Sequence, residues 1–305
     1  MDKQLEMKSS STPAVEQSLT WRDFIEITKP RIIKSNLIAA FGGFWLASQW
    51  NIDWLLFVYM LLGSTLVMAS SCVFNNYLDR ELDTKMARTK HRPTATGKMK
   101  PSIVLWYGIL LGVAGLIVLS VINILTAVLG AVGMFFYVVV YTMWLKRTST
   151  WSTSVGGVSG AVPPVIGYTA VTNTIDMGAI LLFALLFLWQ PPHFWALGIR
   201  KREEYRAAGF PLLPVVKGVT RTKWQMLPYV ILLLPFSILM YVYNYTGLIF
   251  LVVSLVLGVI WLWICIKGLR LTGEKEDEWA RKAFLFSIQY LMVSFLIMII
   301  DTTRV

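Results

Sequence analysis

Asn75, Asp79 and Asp83 follow one another at four-residue intervals. On a continuing helix that spacing stacks them on one face, with the two carboxylates about 6 Å apart along the axis. Glu81 points away from that face. Two like charges one turn apart repel, so a cation should compensate them. Oxygen donors without His or Cys suit Mg²⁺, which takes one or two carboxylates and fills its shell with water and substrate phosphates. Asp79 and Asp83 are therefore candidate Mg²⁺ ligands, with Asn75 as a further candidate, and a diphosphate is the natural companion of such a metal. Arg88, Lys90, Arg92, Lys98 and Lys100 follow within the next seventeen positions after Asp83. They could neutralise charge that develops on a departing diphosphate. A plainer reading competes: Asp79 and Asp83 pair with Arg80 or Arg88 as weak surface ion pairs at a helix end.

The surroundings favour the first reading. About twenty residues before Asn75 carry no charge, and ionisable groups on a helix leaving a membrane are functional candidates. The chain as a whole is 56% hydrophobic and only 15% charged, too few charges to cover a water-soluble domain of 305 residues. Its mean hydropathy is +0.62. Nine apolar runs have spanning length, roughly 32–50, 54–76, 102–122, 125–145, 152–171, 177–199, 227–245, 248–266 and 283–300. Of 28 Lys and Arg, all but Arg304 fall in the segment through Lys34 and in 79–101, 146–147, 200–224 and 267–282. The turns around Asn51, Asn123, Asn173 and Asn244 carry none. This alternation puts the amino terminus in the cytoplasm and, after nine spans, the carboxyl terminus outside. It also accounts for the net charge of +11 without a nucleic-acid partner.

Residues 1–18 read as a polar, disordered cytoplasmic tail, and 19–305 as one membrane domain. No secretory signal is expected, because the amino-terminal residues contain no apolar core. In "TWRDFIEIT", Thr20 and Asp23 have capping-box spacing and Trp21, Phe24 and Ile25 share a face, which predicts a short interfacial helix. Cys72 and Cys265 sit in apolar runs and predict neither a disulfide nor a metal site. Trp50, Trp54, Trp144, Trp151 and Trp224 lie near span ends, as in an aromatic belt. The run "STSVGGVSGAVPPVIGYTAV" predicts a helix that packs closely on its neighbours and bends at Pro163–Pro164. Lys34 and Asn36 could face a cavity, although Lys34 suits the interface better.

The N-x-x-x-D-x-x-x-D pattern at the end of the second span, followed by "RTKHRP", resembles the UbiA superfamily of intramembrane prenyltransferases. The resemblance runs from about Lys29 to the end of the chain. It implies an all-α integral membrane protein with nine transmembrane helices around a central cavity open to the cytoplasm, and an isoprenyl diphosphate held through Mg²⁺. The stretch "QPPHFWALGIRKREEYRAAGFPLLPVVKG", 190–218, is similar to the branch of that superfamily that farnesylates heme. Farnesyl diphosphate and protoheme IX are then the implied substrates, in a cell membrane, with heme A synthase as an implied partner and membrane lipid around the farnesyl tail. Where other members carry a second aspartate-rich motif, this chain has Glu203, Glu204 and Tyr205. The diphosphate set implied is Arg88, Lys90, Arg92, Lys98, Lys201, Tyr205 and Lys217. His193 and Trp195 are the candidate heme-binding residues.

The reaction implied is farnesyl transfer to a porphyrin vinyl group with addition of water. Metal and basic loops would neutralise the leaving group. An apolar cavity would limit water around the allylic cation, with Phe74, Tyr77 or Trp195 offering ring faces. Two rivals are a prenyltransferase acting on an aromatic or quinone precursor, and a secondary transporter. Transporter sites sit near the bilayer midplane, whereas these carboxylates lie at a span end.

Overall fold

The computed structural model describes residues 18–304. The expected tail therefore lies outside the described residues, apart from Ser18. Among those described, all regular elements are helical, and a single β-bridge pairs Thr246 with Thr302. A short α1 (Trp21–Ile27) leads into α2 (Pro30–Ser48), α3 (Trp54–Asp83), α4 (Pro101–Ile122) and α5 (Ile124–Phe135). The last of these continues into a π-helical segment, Phe136–Leu145, and the turn α6 (Lys146–Thr148). Then come α7 (Ser152–Thr172), α8 (Met177–Arg200), the short α9 (Arg202–Ala207) and α10 (Leu213–Val216), α11 (Gly218–Val242), α12 (Leu248–Gly268) and α13 (Glu274–Ile300).

The helix starts follow from local chemistry. Asp53, Asn123 and Asp176 cap α3, α5 and α8, their side chains accepting first-turn backbone N–H groups at 2.8–3.2 Å. Pro30 and Pro101 occupy first helical positions, where a missing N–H costs nothing.

Seven helices are long and apolar enough to cross a membrane, counting Ile124–Thr148 as one. The chain is a multi-pass membrane protein. The helices α2 and α7, of 19 and 21 residues, have the length but less apolar sequences. They pack on each other, α7 also against α3, α5 and α8, and α2 also against α3 and α13; α7 is largely buried, whereas the first half of α2 exposes Ile32 and Ile38. A helix enclosed by protein can use small and polar residues where a lipid-facing one cannot. Backbone meets backbone there: a Cβ on Gly43 would lie 1.9 Å from the Pro164 carbonyl oxygen, and one on Gly167 would lie 1.9 Å from that of Ala40. At the span ends Trp54, Trp144, Trp151 and Trp224 are all exposed, as a belt requires.

The 30 residues of α3 make it about 45 Å long at 1.5 Å per residue, well beyond the roughly 30 Å hydrocarbon layer. That excess length lets its last turns, which carry Asn75, Asp79 and Asp83, lie past the apolar slab. Beside them lies α1. The Asp23 carboxylate accepts from the Thr20 N–H and hydroxyl, both at 2.8 Å, and pairs with Lys98 at 2.8 Å. The Lys98 hydrogen bond holds the Asp23 carboxyl below the usual carboxylate range. Trp21 and Ile25 face outward together, whereas Phe24 turns inward, edge-on to Tyr107 at 5.3 Å.

Candidate active site

The end of α3 buries Asn75, Asp79 and Asp83, each under 5% exposed. The Asn75 amide nitrogen donates to Asp79 Oδ2 at 3.0 Å and to Thr142 Oγ1 at 3.1 Å. Its carbonyl oxygen accepts from Lys29 Nζ, and this contact sets which way the amide points. Lys29 has a left-handed backbone, φ 56°, just before Pro30, which disfavours the ordinary helical region for its predecessor. Burial pushes the Lys29 ammonium down to about 8.

Both Asp79 oxygens are engaged. Lys146 Nζ and the Asn75 amide share Oδ2, and Arg147 donates to Oδ1 at 3.2 Å and to the Leu78 carbonyl at 2.8 Å. Asp83 Oδ2 accepts from Arg92 at 2.7 Å, while Oδ1 has no protein hydrogen bond among the described residues. The competing surface pairing does not form: Arg80 contacts Glu81 instead.

The π-helical segment makes this convergence possible. Thr142 Oγ1 donates to the Tyr137 carbonyl five residues back, at 2.8 Å, and the wider turn directs Thr142 at Asn75. Lys146 and Arg147 then emerge opposite Asp79. The Lys146 ammonium also lies 4.9 Å from the centre of the Phe210 ring, which packs on Tyr205 at 6.3 Å. Thus the loop after α8 reaches the same site, and burial raises the Tyr205 phenol.

Lys29, Thr142, Lys146 and Arg147 were not among the expected site residues. Among the expected cations, only Arg92 contacts the aspartate face. Lys98 is held by Asp23, and Lys201 by Glu204 at 3.0 Å. Arg88, Lys90 and Lys217 are exposed and make no side-chain hydrogen bond or ion pair among the described residues. Lys34 is exposed, and Asn36 donates to the Ile32 carbonyl of its own helix at 2.8 Å.

His193 and Trp195 diverge, as residues two apart on a helix must. Trp195 turns to α11, edge-on to Tyr229 at 5.4 Å, its buried Nε1 without a partner among the described residues. His193 turns to α13, stacked between Trp189 at 4.3 Å and Phe284 at 4.7 Å, with Nδ1 2.7 Å from Ser287 Oγ. The Ser287 hydroxyl has one proton and directs it to the Phe284 carbonyl at 2.6 Å. With its proton so directed, its oxygen is placed to accept from His193 Nδ1–H. This arrangement favours the Nδ1–H tautomer, in which Nε2 carries the lone pair and has no protein donor among the described residues.

The two carboxylates stacked on the α3 face are oxygen donors of the kind that suits Mg²⁺, whereas the Asn75 amide oxygen is turned to Lys29. Among the described residues only Asp83 Oδ1 is free of a protein partner, so an ion bound by both carboxylates would displace Lys146 or Arg147 from Asp79. The architecture and site together define a polytopic helical membrane protein with an acidic–basic site at one end of the bundle. The sequence pattern of the UbiA prenyltransferase family matches residues 36–288, and the chain belongs to that family. Protoheme IX farnesyltransferase 1 of Bacillus subtilis (strain 168) is 49% identical over 93% of this chain and 91% of its own length. Protoheme IX farnesyltransferase of Alkalihalophilus pseudofirmus is 45% identical over 97% and 95%. Among solved structures, a digeranylgeranylglyceryl phosphate synthase superposes with a TM-score of 0.79 at 19% identity, covering 92% of this chain and 97% of that one. A UbiA homolog from Archaeoglobus fulgidus bound to GPP and Mg²⁺ gives 0.63 at 16% identity, covering 90% and 99%.

Proposed function

We propose that this chain transfers the farnesyl group of farnesyl diphosphate to a vinyl group of protoheme IX, with addition of water, giving heme O and diphosphate. The observation that carries the reading is the buried Asn75–Asp79–Asp83 face ringed by Lys29, Arg92, Lys146 and Arg147, in a UbiA-family chain whose relatives at 43–49% identity are named for that activity. A prenyltransferase using an aromatic or quinone acceptor fits those relatives less well.

Mg²⁺, held by Asp79 and Asp83 with Asn75 alongside, would supply neutralisation of the leaving diphosphate. The remaining work belongs to the chain. Lys29 orients the Asn75 amide, and Asn75 in turn braces Asp79. Lys146, Arg147 and Arg92 balance the carboxylates in the resting site and stand within reach of diphosphate oxygens when these compete for them. Arg88, Lys90, Lys201 and Lys217 form an outer basic rim that steers an anionic substrate. Tyr205 and Phe210 bring the second loop over the site and limit water. His193 presents Nε2 to the heme iron, in the tautomer favoured by Ser287 and the ring plane set by Trp189 and Phe284.

Purified protein in lipid, given protoheme, farnesyl diphosphate and Mg²⁺, should yield a product whose mass equals heme plus farnesyl plus water. A product with another acceptor and not with protoheme overturns the reading. His193→Ala should shift the optical spectrum of bound heme and weaken heme binding about tenfold, with binding of an unreactive farnesyl diphosphate analogue unchanged. Ser287→Ala should shift the same spectrum less. Unaltered spectra in both variants would return His193 to a packing role.

The charge alternation supports a basic end in the cytoplasm, with the amino terminus inside and the carboxyl terminus outside. Cysteine labelling on a Cys-free background should reach 85–100 and 200–224 from the inside, and Asn51, Asn173 and Val305 from the outside. An inside Val305 would refute this orientation.

A further inference from the structure

A cavity of about 680 Å³ opens between α12 and α13, away from the Asp79–Asp83 face. It lies at the same end of the bundle as that face: Arg202, just after α8, pairs with Asp277 at the start of α13, and Lys223, near the start of α11, pairs with Glu276 at 2.6 Å. Lys267, in the last turn of α12, and Lys275 and Lys282, two turns apart on α13, line its outer part. Trp263, Leu285 and Phe286 line it deeper along the two helices. The Trp279 ring packs against Gly268, where a Cβ would come within 2.1 Å of it, and Nε1 donates to the Ile264 carbonyl at 2.7 Å. This sinks a large ring into the wall and leaves the hollow beside it.

The charges are unbalanced. Glu276 and Asp277 are taken by Lys223 and Arg202, so among the described residues Glu278 is the only acid lining the cavity against three lysines. None of those three forms an ion pair among the described residues, and the Lys267 ammonium rests 3.5 Å from the Trp263 ring centre instead. Trp263 is 55% exposed and Leu285 46%, on helices apolar enough to face lipid. An amphiphile therefore meets cations at the mouth and apolar walls beneath, in the order that a phosphate head and acyl chains require.

We propose that this crevice binds one anionic phospholipid, its headgroup phosphate on Lys267, Lys275 and Lys282 and its chains along Trp263, Leu285 and Phe286. The test is native mass spectrometry of the detergent-solubilised full chain, titrated with phosphatidylglycerol, with phosphatidylcholine of the same chains, or with inorganic phosphate. One phosphatidylglycerol should bind in preference to phosphatidylcholine, and millimolar phosphate should not displace it. The triple Lys267→Gln, Lys275→Gln, Lys282→Gln variant should lose about tenfold or more in affinity. The corresponding triple Arg variant should retain it, and Glu278→Gln, which removes the opposing charge, should bind more tightly. Equal binding of phosphatidylcholine, displacement by phosphate alone, or wild-type affinity in the triple Gln variant would each overturn the proposal.

Discussion

Asp79→Asn is expected to lower turnover about a thousandfold or more while the folded protein is still recovered from the membrane. Asp79 is 1% exposed and is the meeting point of Asn75, Lys146 and Arg147. Asparagine keeps its shape and one acceptor oxygen, so packing survives. The negative charge that would hold Mg²⁺ and order the two cations does not. Lys146 and Arg147 are 21% and 38% exposed, and water can solvate them once released, so the loss of stability should be small beside the loss of rate. Asp83→Asn should also abolish most activity, with a smaller effect on packing, since only Arg92 leans on it. A chelator should reproduce both defects in the wild type. Product mass gives the rate, and Mg²⁺-dependent binding of an unreactive diphosphate analogue gives an independent readout. Undiminished turnover in Asp79→Asn would remove the aspartates from the reaction.

Gly43→Val is expected to cost about 3 kcal/mol or more and to strip folded protein from the membrane. Its Cβ would sit 1.9 Å from the Pro164 carbonyl oxygen, a backbone atom that cannot rotate away. To admit it, α2 and α7 would have to separate, and both flank the site: Lys29 caps α2, and Gly156 of α7 lies against Tyr141 of the π-helical segment. Gly157→Ala is the control, because its Cβ would meet Phe187 atoms only at 3.6 Å and beyond. Thermal denaturation followed by size-exclusion in detergent should separate the two variants clearly. Equal stability would mean that the helices are free to slide at this contact.

Membrane class, helical fold and the carboxylate face were legible in the sequence. These are local properties: apolar length, charge alternation and a four-residue spacing that any helix turns into a stripe. The spacing also foretold that Asp79 and Asp83 stay helical, and α3 does run on to Asp83. Helix starts were less legible. The apolar runs beginning near 227 and 283 belong to helices that start at Gly218 and Glu274, because helical backbone continues through charged residues once partners such as Lys223 and Glu276 satisfy one another. Which cations meet the carboxylates depends on how distant helices pack. Lys146 and Arg147 are the two cations of a short basic segment and Lys29 lies in the amino-terminal one, yet these three approach Asn75 and Asp79. Lys98, nearer in sequence, is captured by Asp23. Nothing in the local pattern encodes a contact across 46 or 67 residues. It depends on the π-helical offset at Phe136–Leu145 and on glycines that let α2 and α7 touch. The same holds for His193, whose Nδ1 meets a serine 94 residues away.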